Sequence, residues 1–201
     1  MTIHAYSSDH GERTRILIVI GLLSVVAAWL LHLVLGYLPV AVPWWIDMPS
    51  VLGFFALIRT TFDKTLWKNK IVRKVLGITI PDLNGSWKGL LLSSYTGQTI
   101  PHDAELMVVQ SWTTILISLE TTTSISRSQT AAFVLDQPPG LSLKYEYLCE
   151  PRPNAKETVH THRGTAELRV KSSGTLLEGD YYTGRDRQTY GTLKFQRESR
   201  A

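Results

Sequence analysis

Three things are scarce in this chain of 201 residues, and each scarcity narrows what it can be. There is one cysteine, Cys149. That excludes an intramolecular disulfide and any multi-cysteine zinc site, and it fits a domain in a reducing compartment, where the residue is expected to be a small core side chain on a strand. Lys and Arg are missing altogether from Ile16 to Ile58, where Asp47 is the only formal charge. No phosphate-cradling glycine loop, nucleophile elbow or purposeful pair of carboxylates occurs, so no enzymatic activity and no cofactor are expected. His160 and His162 have the identity of metal ligands, but nothing at a supporting spacing completes a site, so no metal is expected and the pair is read as a surface strand start.

What is present divides the chain by charge. Residues 1–15 are neutral, 16–58 carry −1, 59–81 carry +5, and acids and bases cancel from residue 82 onward. The excess of base therefore sits in one short segment. The remainder offers no broad cationic face, which argues against duplex nucleic acid as a partner.

Residues 1–15 read as a short cytosolic tail expected to be disordered. Ile16 to Leu38 is an apolar run, long enough for a hydrocarbon core that needs roughly 20 helical residues. A cleaved leader is the competing reading, but the run is long for one. Pro39, Pro43, Trp44, Trp45 and Asp47 suggest an interfacial turn, and Pro49 suits the first turn of a second helix that Asp47 can cap. Residues 16–58 thus predict a two-helix transmembrane hairpin, its second span apolar only in its first half. Basic residues flank the pair and none lies between, which places both termini in the cytosol with membrane lipids as partners. Residues 59–81 predict a basic juxtamembrane helix and linker, running on from the second span through Val75 and closing at Gly77 and Pro81.

From Asn84 the period changes to two. The runs Gly85–Tyr95, Glu105–Trp112, Thr114–Thr121, Ser128–Asp136, Leu141–Cys149, Arg163–Lys171, Thr175–Tyr182 and Thr189–Arg197 alternate with turn residues. Residues 82–201 therefore predict an all-β C-terminal domain, an antiparallel up-and-down β-barrel of about eight strands whose interior can hold one small ligand. Alternation points Tyr145, Tyr147 and Tyr181 inward, and places Arg127 on the parity of Phe133 and Leu135, toward the barrel mouth. Arg185, Arg187 and Tyr190 crowd a hairpin tip beside them. Tyrosine can stack on a base and donate from its hydroxyl, and arginine binds phosphate bidentately. That tyrosine is simply common in strands remains the competing reading.

Two helices, a basic linker and a strand-only domain opening Asn84-Gly85-Ser86-Trp87-Lys88-Gly89 and closing Gly191-Thr192-Leu193-Lys194-Phe195 resemble one bacterial family. The chain resembles the two-transmembrane, β-strand-rich effectors of cyclic-oligonucleotide anti-phage systems (CBASS), which are CD-NTase-associated and STING-like in role. The resemblance implies a barrel that receives a cyclic dinucleotide from a partner nucleotide cyclase. It implies further that the bound protein assembles as a homo-oligomer in the bacterial inner membrane and disrupts it. Gly85-x-Trp87 is also similar to the opening of lipocalin barrels, where a tryptophan closes one end of the cup, which favours the barrel but not a lipid ligand; Trp87 is counted among the candidate ligand-binding residues. The alternative expectation is a membrane-tethered lipocalin-like carrier or structural module.

Overall fold

The computed structural model describes residues 3–37, 47–135, 140–155, 160–185 and 187–198. The chain divides into two compact units, one of Met1–Asp9 with Ile80–Ala201 and one of His10–Thr79.

In the second unit, α1 spans Glu12–Leu35, 24 residues, which at 1.5 Å per residue is about 36 Å. Among the described residues it is the one helix long and apolar enough to cross a membrane. It packs on α2, Asp47–Lys64. Its buried positions Ile16, Ile20, Ser24 and Ala28 recur every fourth residue and so share one stripe. The other faces expose Ile18, Leu22, Val25, Trp29 and Val34, a contiguous apolar surface of the kind that marks a lipid or protein interface. α2 begins at Asp47 as the composition suggested, with Pro49 in its first turn, but Arg59, Asp63 and Lys64 occupy its last turns. The expected interfacial turn falls, up to residue 46, outside the described residues.

The basic segment is not the continuous helix expected through Val75. α2 stops at Lys64, Leu66–Lys68 form a 3₁₀ turn, and α3 restarts over Lys70–Leu76. The break has a local cause. The Asn69 side chain accepts hydrogen bonds from the backbone N–H groups of Ile71 (2.9 Å) and Val72 (3.4 Å), capping a new helix at the point where the old one would have continued. Trp67 in the turn is fully buried, with Arg73 against its ring. The two ends of the unit are tied together: Glu12 accepts from the Thr79 N–H (2.9 Å), and Arg15 donates to the carbonyls of Leu76 (2.8 Å) and Gly77 (3.0 Å).

The first unit is a closed barrel of nine strands, one more than the alternation suggested. They are β1 His4–Ser8, β2 Gly85–Ser93, β3 Pro101–Gln110, β4 Thr114–Thr121, β5 Ser124–Val134, β6 Ser142–Pro151, β7 His162–Lys171, β8 Leu176–Thr183 and β9 Tyr190–Arg197. β2 to β9 form an antiparallel meander closed by the β2–β9 pairing. The extra strand corrects the expectation of a disordered tail. β4 and β5 pair only near their turn, from Ser118↔Arg127 to Glu120↔Ile125, and part beyond it. β1 fills the seam, antiparallel to β4 at His4↔Ile115 and parallel to β5 from Tyr6↔Ala131 to Ser8↔Phe133. Ser128 holds the point of divergence: its hydroxyl lies 2.8 Å from His4 Nε2 and accepts the Ile117 N–H at 2.9 Å. Tyr6 is buried beneath, its ring edge-on to Phe133 at 5.3 Å.

The interior is unequally filled. Leu106, Leu143, Leu168, Leu177 and Phe195 are buried in the barrel with Trp87. The Trp87 Nε1–H donates to the Leu83 carbonyl at 3.0 Å, and the Arg197 guanidinium stacks 5.0 Å from its ring while donating to the carbonyls of Asp82 and Asn84. Apolar volume is thus used up around Trp87, and the free space lies elsewhere.

Candidate ligand-binding site

A cavity of about 250 Å³ opens where the β4–β5 turn, the start of β3, and the β8–β9 turn converge. β6 supplies its back wall. Strict alternation along Ser142–Pro151 turns Leu143, Tyr145, Tyr147 and Cys149 inward, while Lys144 and Glu146 face water. Tyr145 and Tyr147 line the cavity, joined by Tyr181 from β8.

Two of these rings have room because a glycine lies opposite. Tyr147 pairs across the strand with Gly164, and Tyr181 with Gly191. A Cβ on Gly164 would collide with the Tyr147 ring and with the backbone carbonyl of Tyr182. Gly164→Ala is therefore expected to drive Tyr147 out of its position and weaken ligand binding about tenfold or more, and also to lower the melting temperature by straining the β7–β8 pairing. Titration calorimetry together with circular dichroism checks this, and wild-type affinity would show that the ring is not needed there.

Burial pushes the hydroxyls of Tyr145 and Tyr147 well above the usual phenol range. Both are therefore neutral donors at any physiological pH. Burial raises Tyr181 as well, opposed by a hydrogen bond with Ser93 and by the charge of Arg187.

The mouth is built by the β8–β9 turn. Thr183 clamps its base, donating its N–H to the Thr189 carbonyl and accepting the Thr189 N–H at its hydroxyl, each at 2.8 Å. Arg187 projects from this turn over the ring of Tyr95, its guanidinium carbon 5.2 Å from the centroid. Across the cavity, Thr121, Thr123, Ser124 and Ser126 present hydroxyls. No carboxylate occurs among the described lining residues, and Arg187 is the formal cation among them. Such a lining favours an anion with flat apolar parts, because charge finds a guanidinium and rings find tyrosine faces.

Of the eight candidate residues, the structure brings Tyr145, Tyr147, Tyr181 and Arg187 together in the cavity. Trp87 is buried beneath Arg197 and does not line it. Arg185 and Tyr190 flank the turn as exposed residues. The inward placement of Arg127 is corrected: its guanidinium pairs with Glu150 at 2.7 Å on the outside of the barrel. A β-bulge between Ser128 and Thr130 inserts one residue into β5. Ser126 and Ser128 point inward before it, Ala131 and Phe133 after it, so parity counted back from Phe133 reverses at the bulge. His162 is the second correction. Expected at the surface, it is buried and lines the cavity opposite Cys149. Tyr95 and the Thr/Ser cluster were missed as well. Cys149 shares parity with Tyr145 and Tyr147, which was the available signal; the hydroxyls sit at a turn, where alternation carries no information.

A closed, mainly antiparallel barrel, filled around Trp87 and open on an aromatic, hydroxyl-rich cavity, has the form of a domain that holds a small ligand, here carried in one chain with an apolar helix. Residues 78–197 match the family described as "Cap15, cyclic dinucleotide receptor domain". The chain is also 34% identical over 152 residues to CD-NTase-associated protein 15 of Yersinia aleksiciae, covering 74% of this chain and 69% of that relative. It belongs to the Cap15 family, and the resemblance to CBASS effectors is borne out.

Proposed function

We propose that the barrel binds a cyclic dinucleotide supplied by a partner nucleotide cyclase, and that the bound state drives association of the helical units and disruption of the bacterial inner membrane. The observation that carries the reading is the cavity, which sets tyrosine faces beside one guanidinium and a bank of hydroxyls, with no carboxylate among the described lining residues. A cyclic dinucleotide has two flat bases and two phosphodiesters, and those groups match this lining. The match to a receptor family over most of the barrel supports the same ligand class. The chemistry is binding and assembly, with no bond of the ligand made or broken.

Strand β1 supports the membrane topology. The helical unit lies in sequence between β1 and β2, and both strands belong to one barrel. If α1 crosses a membrane, the chain must cross back before β2, and α2, apolar in its first half, is the segment proposed for that return. The charged last turns of α2 then emerge on the side of the barrel, in agreement with a cytosolic location for basic residues.

The test is calorimetry on the full chain in detergent with a panel of cyclic di- and trinucleotides and linear mononucleotides. Saturable binding of one cyclic dinucleotide, with growth of the particle in light scattering on its addition, is expected. No binding across the panel, or lipid extracted from the barrel in its place, would favour a membrane-tethered carrier.

A further inference from the structure

The function proposed above leaves α3, Lys70–Leu76, without a task, yet both of its ends are capped. Seven residues make a helix of about 10 Å, a length that is marginal in water on its own. Asn69 takes the first N–H groups at one end. At the other, Gly77 is left-handed (φ 57°) and the Ile78 N–H donates back to the Arg73 carbonyl at 2.9 Å, which satisfies a carbonyl that the last turn leaves open.

What the caps hold outward is an apolar ridge beside a basic one. Ile71 and Val75, four residues apart and so on one face, are 73% and 77% exposed. Lys70 and Lys74, four apart in the adjoining row, are exposed next to them. Arg73 is used inside the unit, its guanidinium 6.0 Å from the centre of the buried Trp67 ring. From residue 59 to 81 the cations Arg59, Lys64, Lys68, Lys70, Arg73 and Lys74 meet a single acid, Asp63. Branched aliphatic side chains gain nothing from water, and ammonium groups gain little from an apolar protein surface. A bilayer boundary suits both rows at once: the aliphatics enter where acyl chains begin, and the lysine stems lie along them with the charge at phosphate depth.

The place of α3 in the chain agrees, in a step that rests on the topology proposed above. If α2 is the return span, its charged end emerges at the inner surface with Lys64. Residues 65–69 alone separate that end from α3, a reach of about 20 Å at full extension. The helix therefore lies beside the headgroups whichever way the connection runs.

We propose that α3 is a docking surface for the anionic leaflet of a membrane, with Ile71 and Val75 inserted at the boundary between headgroups and acyl chains and Lys70 and Lys74 on lipid phosphates. The partner is a phospholipid of net negative charge, because a zwitterionic headgroup sets its own ammonium against each phosphate and repays the lysines less.

The experiment places the full chain in lipid nanodiscs of phosphatidylcholine, alone or mixed with phosphatidylglycerol. With no substitution, amide hydrogen exchange over residues 70–77 is expected to be at least fivefold slower in the discs that contain phosphatidylglycerol. Near an anionic surface each lysine is worth about fivefold in partitioning, so the joint change Lys70→Gln and Lys74→Gln is expected to abolish the difference. Equal exchange of the unsubstituted chain in the two discs overturns the proposal. Depth is read with spin labels on Val75→Cys and, separately, Val25→Cys in α1, each in a Cys149→Ala background. The label at 75 is expected to meet dissolved oxygen rather than a water-soluble nickel chelate in the anionic discs. A label at 75 in water in both discs, with the one at 25 in hydrocarbon, overturns the docking and leaves the span standing. The reverse pattern keeps the docking and removes the spanning helix of the proposed function. Protection of α3 that is as strong in detergent as in anionic discs and rises with protein concentration would show a second copy on the ridge, and would overturn the lipid assignment.

Discussion

Arg187→Ala is expected to weaken cyclic dinucleotide binding by about 10- to 100-fold while the thermal unfolding of the barrel stays in place. A hydrogen bond to a charged group is worth about 1.5–3 kcal/mol, and each 1.4 kcal/mol is about tenfold in affinity. The residue sits at the mouth on a turn whose base is held by Thr183 and Thr189, so its loss removes a charge without loosening the hairpin. Its position over Tyr95 adds a second role, since that exposed ring and the guanidinium together can close over a stacked base. Arg187→Lys keeps the charge but loses the planar fork, and an intermediate affinity is expected. Calorimetry at fixed salt measures both, and affinity within twofold of wild type in Arg187→Ala would move phosphate recognition elsewhere.

The second large effect concerns stability. Tyr6→Ala is expected to destabilise the chain by about 3–5 kcal/mol, as for other large aromatic truncations in cores. Tyr6 is 3% exposed, packs edge-on against Phe133, and lies on the strand that closes the seam between β4 and β5. Without its ring, β1 keeps the Ser128 contact at one end and the Asp9 carboxylate on the Leu135 N–H (3.0 Å) at the other, but loses its middle. Two parted strand edges would then face water, an aggregation liability as well as a loss of stability. Urea unfolding monitored by tryptophan fluorescence checks it. A loss below about 1 kcal/mol, the size of an ordinary surface change, would mean that β1 is an ornament on an already closed barrel.

The eight predicted strands all exist, with the largest boundary errors at β3 and β5. β3 starts at Pro101 and β5 at Ser124, each four residues earlier than their apolar patterns begin. Those early segments border the cavity, where hydroxyls and His102 replace the apolar half of the alternation. Half-polar strands look like loops to a pattern that counts apolar residues. The same reasoning succeeded on β6, which is apolar on its inner face throughout, and so Tyr145 and Tyr147 were placed correctly from parity alone. It failed on Arg127, because one inserted residue reverses every side chain on one side of it and a bulge has no apolar signature.

What the sequence by itself determined follows from local quantities: the apolar run that became α1, the concentration of base between Arg59 and Lys74, the alternation of the strands, and the absence of charge of either sign in excess over the barrel. Each depends on neighbours close in the chain, which periodicity reads directly. Only the tertiary structure decided that His4–Ser8 is a barrel strand, that Arg127 faces out, and that His162 faces Cys149. A five-residue strand has too little burial of its own to declare itself; its partners lie more than 100 residues away, in the gap that β4 and β5 leave. Cys149 and His162 likewise stand opposite one another because β6 and β7 pair in one register rather than the next, and register is settled by the packing of the whole closed sheet.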